Sequence, residues 1–314
     1  MSVSVHQGST NRPVRGRRRT LARQRAVSGW LMTLPALAFV ALFTFYPLMR
    51  GFWVSLHRWD GISVDMRWVG LRNYVNVFND QIYWAALGHT FQYAIGVTVV
   101  KNVLALLLAV LLNRQLVGRG FFRVATFLPV VMSFVVVGIL WSWIFNPTFG
   151  LLNQALHAVG LDGLIHGWLS DPAVALWSVM SVDVWKWTGF HVVLILAGLQ
   201  AIPGELDEAA ALDGAGRFRI FWSITLPLLR PVLTFSVLMS VVGAFVSNYD
   251  LVKVMTGGGP SHATEVALTW IVNTTFTELN VGKANAMSFI LFFIVIIVGA
   301  LQLRLMTRRA EGQR

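Results

Sequence analysis

Along this 314-residue chain the apolar positions gather into long blocks, and the polar ones fall almost wholly between them. Blocks can be read at about 28–49, 88–112, 122–145, 173–199, 231–249 and 284–306, each near the ~20 residues that an α-helix needs to cross hydrocarbon. The pattern predicts an all-α membrane protein of about six transmembrane helices. Between the first two blocks, the stretch 50–87 carries Trp53, Trp59, Trp68 and Trp84 with mixed charges. It reads as a small ordered extracytoplasmic segment.

Composition agrees. Hydrophobic residues make up 56% of the chain and charged ones only 12%, against about 25% in a soluble domain. Too few charged side chains remain to cover a water-facing surface. The chain has no cysteine, which excludes disulfides and Cys-ligated metal sites. The net charge of +11 raises the question of nucleic acid, but the basic residues lie between apolar blocks, not along a stripe of a soluble module, so no nucleic-acid partner is expected.

Their distribution bears on topology instead. Seven arginines precede the first block, from Arg12 to Arg25, with no acid among residues 1–27. Arg114, Arg119 and Arg123 lie between blocks two and three. Arg217, Arg219 and Arg230 lie between four and five, and Arg304, Arg308, Arg309 and Arg314 end the chain. These segments hold 17 of the 25 basic residues and alternate with poorer loops; 146–172 has none. By the positive-inside rule they face the cytoplasm, and both termini with them. The tail 1–27 has almost nothing to bury and is expected to be disordered, an anchor to anionic lipid. Arg17-Arg18-Arg19 faintly resembles an export signal, but the following apolar stretch is too long for one, and an anchored first helix is expected.

Catalytic signatures are absent. The only Gly-Lys pair, Gly282-Lys283, precedes Ala284 and lacks a phosphate-loop pattern; the seven histidines show no metal-ligand spacing, and there is no Gly-x-Ser-x-Gly elbow. No enzyme, cofactor or metal site is expected. The informative segment is 200–230. Pro203 can open a short helix, with Glu205, Asp207 and Glu208 near its positive N-terminus, and Asp213-Gly214 supplies a break. A second short helix then leads to Pro227 and Pro231, which close the segment before the fifth block. Glu208-Ala209-Ala210, Gly214, and then Ile224, Leu226 and Pro227 form a spaced motif, whose small residues leave a smooth surface that another protein can approach.

That spacing is similar to the EAA signature of ABC importer permeases. The chain resembles, from about 28 to 309, the inner-membrane permease subunit of a binding-protein-dependent carbohydrate ABC importer, of the maltose- and glycerol-phosphate-type group. Phe121-Phe122-Arg123 with Leu128-Pro129, the run from Trp141 to Asn153, the run from Ala197 to Pro203, and that from Asp250 to Pro260 belong to the likeness. The resemblance implies a type I ABC importer permease fold in a bacterial inner membrane. It implies that 203–222 couples to a separate ATPase, with Glu208, Ala209, Ala210, Asp213, Gly214, Ile224, Leu226 and Pro227 as coupling residues. It further implies ATP and Mg on that ATPase dimer, a second permease subunit, an extracytoplasmic solute-binding protein, and a sugar or sugar-like solute moved inward by alternating access. Lys101 beside Asn102 departs from the apolar residue expected there.

Charges inside spans are costly and usually face the bundle or water. Asp183 and Lys186 sit three apart on one helical face, as a mutually neutralising pair or as a polar contact on the substrate route, with Trp185 and Trp187 as stacking platforms. Asn248, Tyr249 and Asp250 are further candidates for the route, Tyr249 equally an interface anchor. Lys101 can snorkel or pair across helices. An ion-gradient-driven transporter or channel is the alternative function; few intramembrane carboxylates and no internal repeat speak against it.

Overall fold

The structure is a computed structural model that describes residues 30, 32–114 and 117–311 in backbone, with side chains as far as Arg304. The expected tail, 1–27, lies outside the described residues, as do 312–314. The chain divides into two compact units, one ending at Trp53 and one running from Val54 to Arg314.

The first unit is described from helix α1 (Met32–Ser55, its last two residues belonging to the second unit), which contains a wide π turn at Ala41–Phe45. Its apolar side chains, Phe39, Leu42 and Phe45 among them, are exposed, as suits a helix solvated by lipid.

The second unit opens with a two-stranded antiparallel ribbon, β1 (His57–Arg58) and β2 (Arg67–Trp68), and a short helix α2 (Arg72–Phe78). The buried Asn73 amide ties this ordered cap together, donating to the carbonyls of Ser55 and His57, each at 2.8 Å. There follow α3 (Gln81–Asn113), α4 (Arg119–Val131), α5 (Phe134–Ile144), α6 (Leu151–Ala158), α7 (Ala175–Gln200) and α8 (Gly204–Leu212). The chain continues through α9 (Arg217–Met255), α10 (Ala267–Phe276) and α11 (Val281–Glu311). Five helices among the described residues are long and apolar enough to cross a membrane, and the bent pair α4–α5 brings the number to six if it counts as one span.

Two differences from the sequence reading matter. The stretch 122–145 is not one helix: α4 and α5 meet at 103° across Met132 and Ser133, both extended, with Ser133 Oγ accepting from the Val135 amide at 3.3 Å. Nor do Pro227 and Pro231 close the segment before the fifth span. The second short helix is the beginning of α9, a continuous helix of 39 residues that passes both prolines after a π turn at Phe221–Thr225. An interior proline removes one backbone hydrogen bond, but unwinding in lipid would strand several more.

Buried apolar residues form two separate cores. One holds Val77, Tyr83, Tyr93, Val97, Val179, Val182, Ala244, Leu251 and Met287. The other holds Ala105, Ala109, Leu112, Val192, Ile195, Leu199 and Leu229. The first core, the starts of α3, α7 and α11 and the C-terminus of α9 share one end of the unit. At that end Asp80 caps α3, accepting from the Tyr83 amide at 3.0 Å, and pairs with Lys283 of α11 at 2.6 Å, while the Trp270 indole donates to it at 3.2 Å. Burial raises the Asp80 pKa, but the hydrogen bonds from Lys283, Tyr83 and Trp270 and the Lys283 charge outweigh it and hold the carboxyl below its ordinary value.

The other end gathers the C-terminus of α3, the segment 200–230 and the start of α4, whose Arg123 reaches the Leu112 carbonyl at 3.5 Å. From there α4 climbs to the break halfway along α7. The Gly138 backbone of α5 lies against Val254 and Met255 near the far tip of α9. The bent pair therefore makes a single broken traverse of the unit.

Candidate functional site

The segment 200–230 projects from the unit. Pro203, extended, is the N-cap of α8, whose first turn carries Glu205 and Asp207. Gly214 has φ +79°, and around it the Ala215 amide donates to the Ala210 carbonyl at 2.9 Å and the Gly214 amide to Ala211 at 3.0 Å. This is the Schellman closure of a helix, in which only glycine adopts the left-handed residue without strain. Gly216 then caps α9. No residue of α8 is buried; Glu208, Ala209, Asp213 and Gly214 are exposed, and Ala210 is half-buried. Leu206, Leu212, Phe218 and Trp222 also stand exposed, Leu212 at 90%. Ile224, Leu226 and Pro227 are half-buried in the first turns of α9. A short helix, a rigid turn and the root of a long helix thus offer an exposed apolar-and-acidic face.

Between the two apolar cores lies a polar layer across three helices. On α3 it comprises Thr98, Lys101 and Asn102; on α7, Asp183, Lys186, Thr188 and His191; on α9, Ser236 and Ser240. All are buried except the half-buried Asn102. The expected Asp183–Lys186 pair is not formed. Asp183 instead pairs with Lys101 across α3 and α7 at 2.8 Å, with side-chain exposures of 1% and 4%. That explains the lysine found where an apolar residue was expected. Lys186 turns to the broken helix, donating to the carbonyls of Pro129 (3.1 Å), Val130 (3.2 Å) and Met132 (2.5 Å), with its ammonium 4.8 Å from the Phe134 ring centroid. The Pro129 carbonyl also accepts from the Met132 amide at 3.3 Å, while the end of α4 is the negative pole of its dipole, so a cation there adds the missing donors and matches the charge.

The third group in the layer is a closed ring. Asn102 Nδ2 donates to the Thr98 carbonyl at 2.8 Å and to Ser240 Oγ at 2.9 Å. Ser240 Oγ meets His191 Nε2 at 3.1 Å; His191 Nδ1 meets Ser236 Oγ at 2.8 Å; and Ser236 donates to Asn102 Oδ1 at 2.6 Å. The Thr98 carbonyl accepts only from the amide nitrogen, which fixes the Asn102 orientation. Ser236 has then spent its proton on Asn102 and must accept from His191, while Ser240 has accepted from Asn102 and donates to His191. The ring closes only with a neutral imidazole protonated on Nδ1. Each interhelical bond of this kind contributes roughly 0.6 kcal/mol in a membrane interior, so opening all four costs roughly 2 kcal/mol. Stranding one member of a buried ion pair costs about 3–5 kcal/mol.

The substrate-path candidates are not brought together in one cluster. Trp185 lies edge-on to Trp141 with centroids 5.4 Å apart, and Trp187 has a buried indole nitrogen without a partner. Asn248 is fully buried with both amide atoms unpartnered, whereas Tyr249 and Asp250 are half-buried. Sequence reasoning missed His191, Ser236 and Ser240. The available signal was two serines one helical turn apart inside an apolar block. Among the described residues there is no cluster of His, Asp or Glu able to hold a metal.

Comparison with known proteins bears on this arrangement. Residues 101–310 match the family described as binding-protein-dependent transport system inner membrane component. The chain is 36% identical over 286 residues to the probable ABC transporter permease protein YurN of Bacillus subtilis, covering 90% of this chain and 97% of that one. It is 37% identical over 279 residues to the trehalose/maltose transport system permease protein MalF of Thermococcus litoralis, covering 88% and 92%. To the sn-glycerol-3-phosphate transport system permease protein UgpA of Agrobacterium fabrum it is 35% identical over 282 residues, covering 90% and 95%. Among solved structures, a chain of a bacterial ABC transporter involved in the import of the acidic polysaccharide alginate superposes with a TM-score of 0.80 over 93% of this chain and 99% of that one, at 20% identity. The last likeness speaks for the fold alone.

Proposed function

The chain belongs to the family of binding-protein-dependent transport system inner membrane components, and on that premise we propose that it imports a sugar or sugar-like solute by alternating access, driven through 203–222 by a separate ATPase. It is a multi-pass membrane permease subunit. The observation that carries the proposal is the exposed face of α8 and the root of α9, rigidly closed by Gly214 and continuous with a helix that runs the length of the unit. Nucleotide closure of an ATPase dimer moves such a handle only if the contact is stiff and shape-matched. Exposed Glu208 supplies a charge for a basic residue of the ATPase, the small residues at 209 and 210 allow close approach, and Leu206 and Leu212 supply apolar anchors.

The other parts follow from this role: ATP and Mg on the ATPase dimer, a second permease, and a solute-binding protein that delivers cargo. Arg114, Arg119, Arg123, Arg217, Arg219 and Arg230 lie on the segments at the coupling end, and the Lys- and Arg-free loop 146–172 leads to the opposite end. Positive charge thereby favours a cytoplasmic coupling end and cytoplasmic termini. The relatives named for trehalose/maltose and for sn-glycerol-3-phosphate favour a polyhydroxylated cargo, to which the unpartnered Asn248 amide offers a donor and an acceptor.

Purified in mild detergent, the chain is expected to retain an ATPase subunit. Glu208→Lys and Gly214→Asp should release it without loss of membrane insertion. Retention by both variants removes 203–222 from the mechanism. Uptake that persists without ATP and collapses with an ion gradient favours the gradient-driven alternative.

A further inference from the structure

The coupling end and the far end of the molecule are separated by the polar layer, and the three groups in that layer differ in what they can do. The Lys101–Asp183 pair joins α3 to α7 with full charges in a dry interior, where separating them leaves an uncompensated ion. Lys186 likewise fixes α4 to α7 through three carbonyls. These contacts make α3, α4 and α7 one body. Only α9, the helix that begins at the coupling segment, is joined to that body in the layer by neutral groups alone: Ser236 and Ser240 on the imidazole of His191 and the amide of Asn102.

A ring of hydroxyls, one amide and one neutral imidazole can open at a small cost and close again without moving a charge. Both serines are on one face of α9, four residues or one turn apart, and they clasp His191 from its two nitrogens. Apolar cores grip α9 above and below, through Leu229 in one and Ala244, Phe245, Leu251 and Val252 in the other. The geometry points to the Asn102–Ser240–His191–Ser236 ring as the joint about which α9 moves against the α3–α7 body when nucleotide drives the coupling segment. These four side chains are positioning residues for energy transmission, not substrate contacts. The inference rests on the coupling role proposed above and assigns residues inside the membrane to it.

This chain has no native cysteine, so labelled before assembly with its partners it carries probes only at introduced positions. Spin labels are placed at Gln81→Cys and Lys253→Cys, exposed positions at the ends of α3 and α9 remote from the coupling segment. The distance between them is measured in the whole transporter, with its ATPase, without nucleotide and with a non-hydrolysable ATP analogue. In the otherwise unsubstituted complex the analogue should change the distance by about 2–5 Å, the span between a helix shift and a one-turn ratchet. In Ser236→Ala/Ser240→Ala the complex should still bind nucleotide and hydrolyse ATP within about twofold of the parent, yet the far-end change should be lost. Ser236→Thr/Ser240→Thr keeps the hydroxyls and should restore it. A full distance change in the double alanine variant overturns the joint, as does failure of the folded, ATPase-bearing threonine variant to restore it. A complex that holds no ATPase, or whose unsubstituted form does not respond to nucleotide, overturns the coupling reading itself and the joint with it.

Discussion

Consider removal of one charge from the ion pair in the polar layer. Asp183→Asn leaves the shape of α7 unchanged and strands the Lys101 ammonium, 4% exposed, on α3. At 2.8 Å and an effective dielectric constant of about 20, the lost attraction is about 6 kcal/mol, against which the carboxylate no longer bears its own desolvation cost of several kcal/mol. A net loss of about 3–5 kcal/mol follows for Asp183→Asn, and a similar loss for Lys101→Met. The double variant Lys101→Met/Asp183→Asn buries no unpaired charge and should lie within about 1–2 kcal/mol of the parent, so the two singles couple by more than about 3 kcal/mol. Unfolding by SDS in mixed micelles, followed by tryptophan fluorescence, measures all four corners of the cycle. Single variants within about 1 kcal/mol of the parent, or losses that simply add, would falsify the claim that this pair pins α3 to α7.

Two other outcomes can be checked in the same system. Because Asp80 titrates below its ordinary value when folded, its contribution is present at neutral pH and is lost as pH falls below about 4 through the folded pKa. Asp80→Asn, which still caps α3, should lower the apparent melting temperature at pH 7 and flatten its fall on acidification; an unchanged acid slope would show that the carboxylate is not the titrating group. At Gly189 an added Cβ would overlap the Thr126 carbonyl of α4, whereas at Gly243 it would meet only Ser247 Oγ, at 3.8 Å. Gly189→Ala should therefore cost roughly 1–3 kcal/mol and Gly243→Ala almost nothing, and equal melting temperatures would refute the close packing of α4 on α7.

What the sequence disclosed and withheld has a physical pattern. Apolar block length is local information: the block 284–306 lies within α11, whereas α3 begins seven residues before its block and α1 runs six residues past the end of its own. The turn at Gly214 was equally local, since glycine after a short alanine-rich helix carries its own geometry. The break after Val131 was not local. Leu128-Pro129 marks a weak point, but the open bend is held by an amine 57 residues further on, Lys186 against Pro129. The same holds for partner choice: three-residue spacing brought Asp183 and Lys186 onto one face, yet each found a better partner on another helix. The prolines at 227 and 231 misled for the opposite reason. Their local preference is to end a helix, and the surrounding bundle overrides it.

The uninterrupted course of α9 carries a mechanical corollary. From Arg217 to the midpoint of the two serines is about 31 Å at ~1.5 Å per residue, and from there to Met255 about 26 Å. A stiff rod held near its middle behaves as a seesaw of almost equal arms. If the ring is the joint inferred above, a tilt that swings one tip by about 5 Å would swing the other by about 4 Å the opposite way, and motion at the coupling end would reach the far end with little loss of stroke.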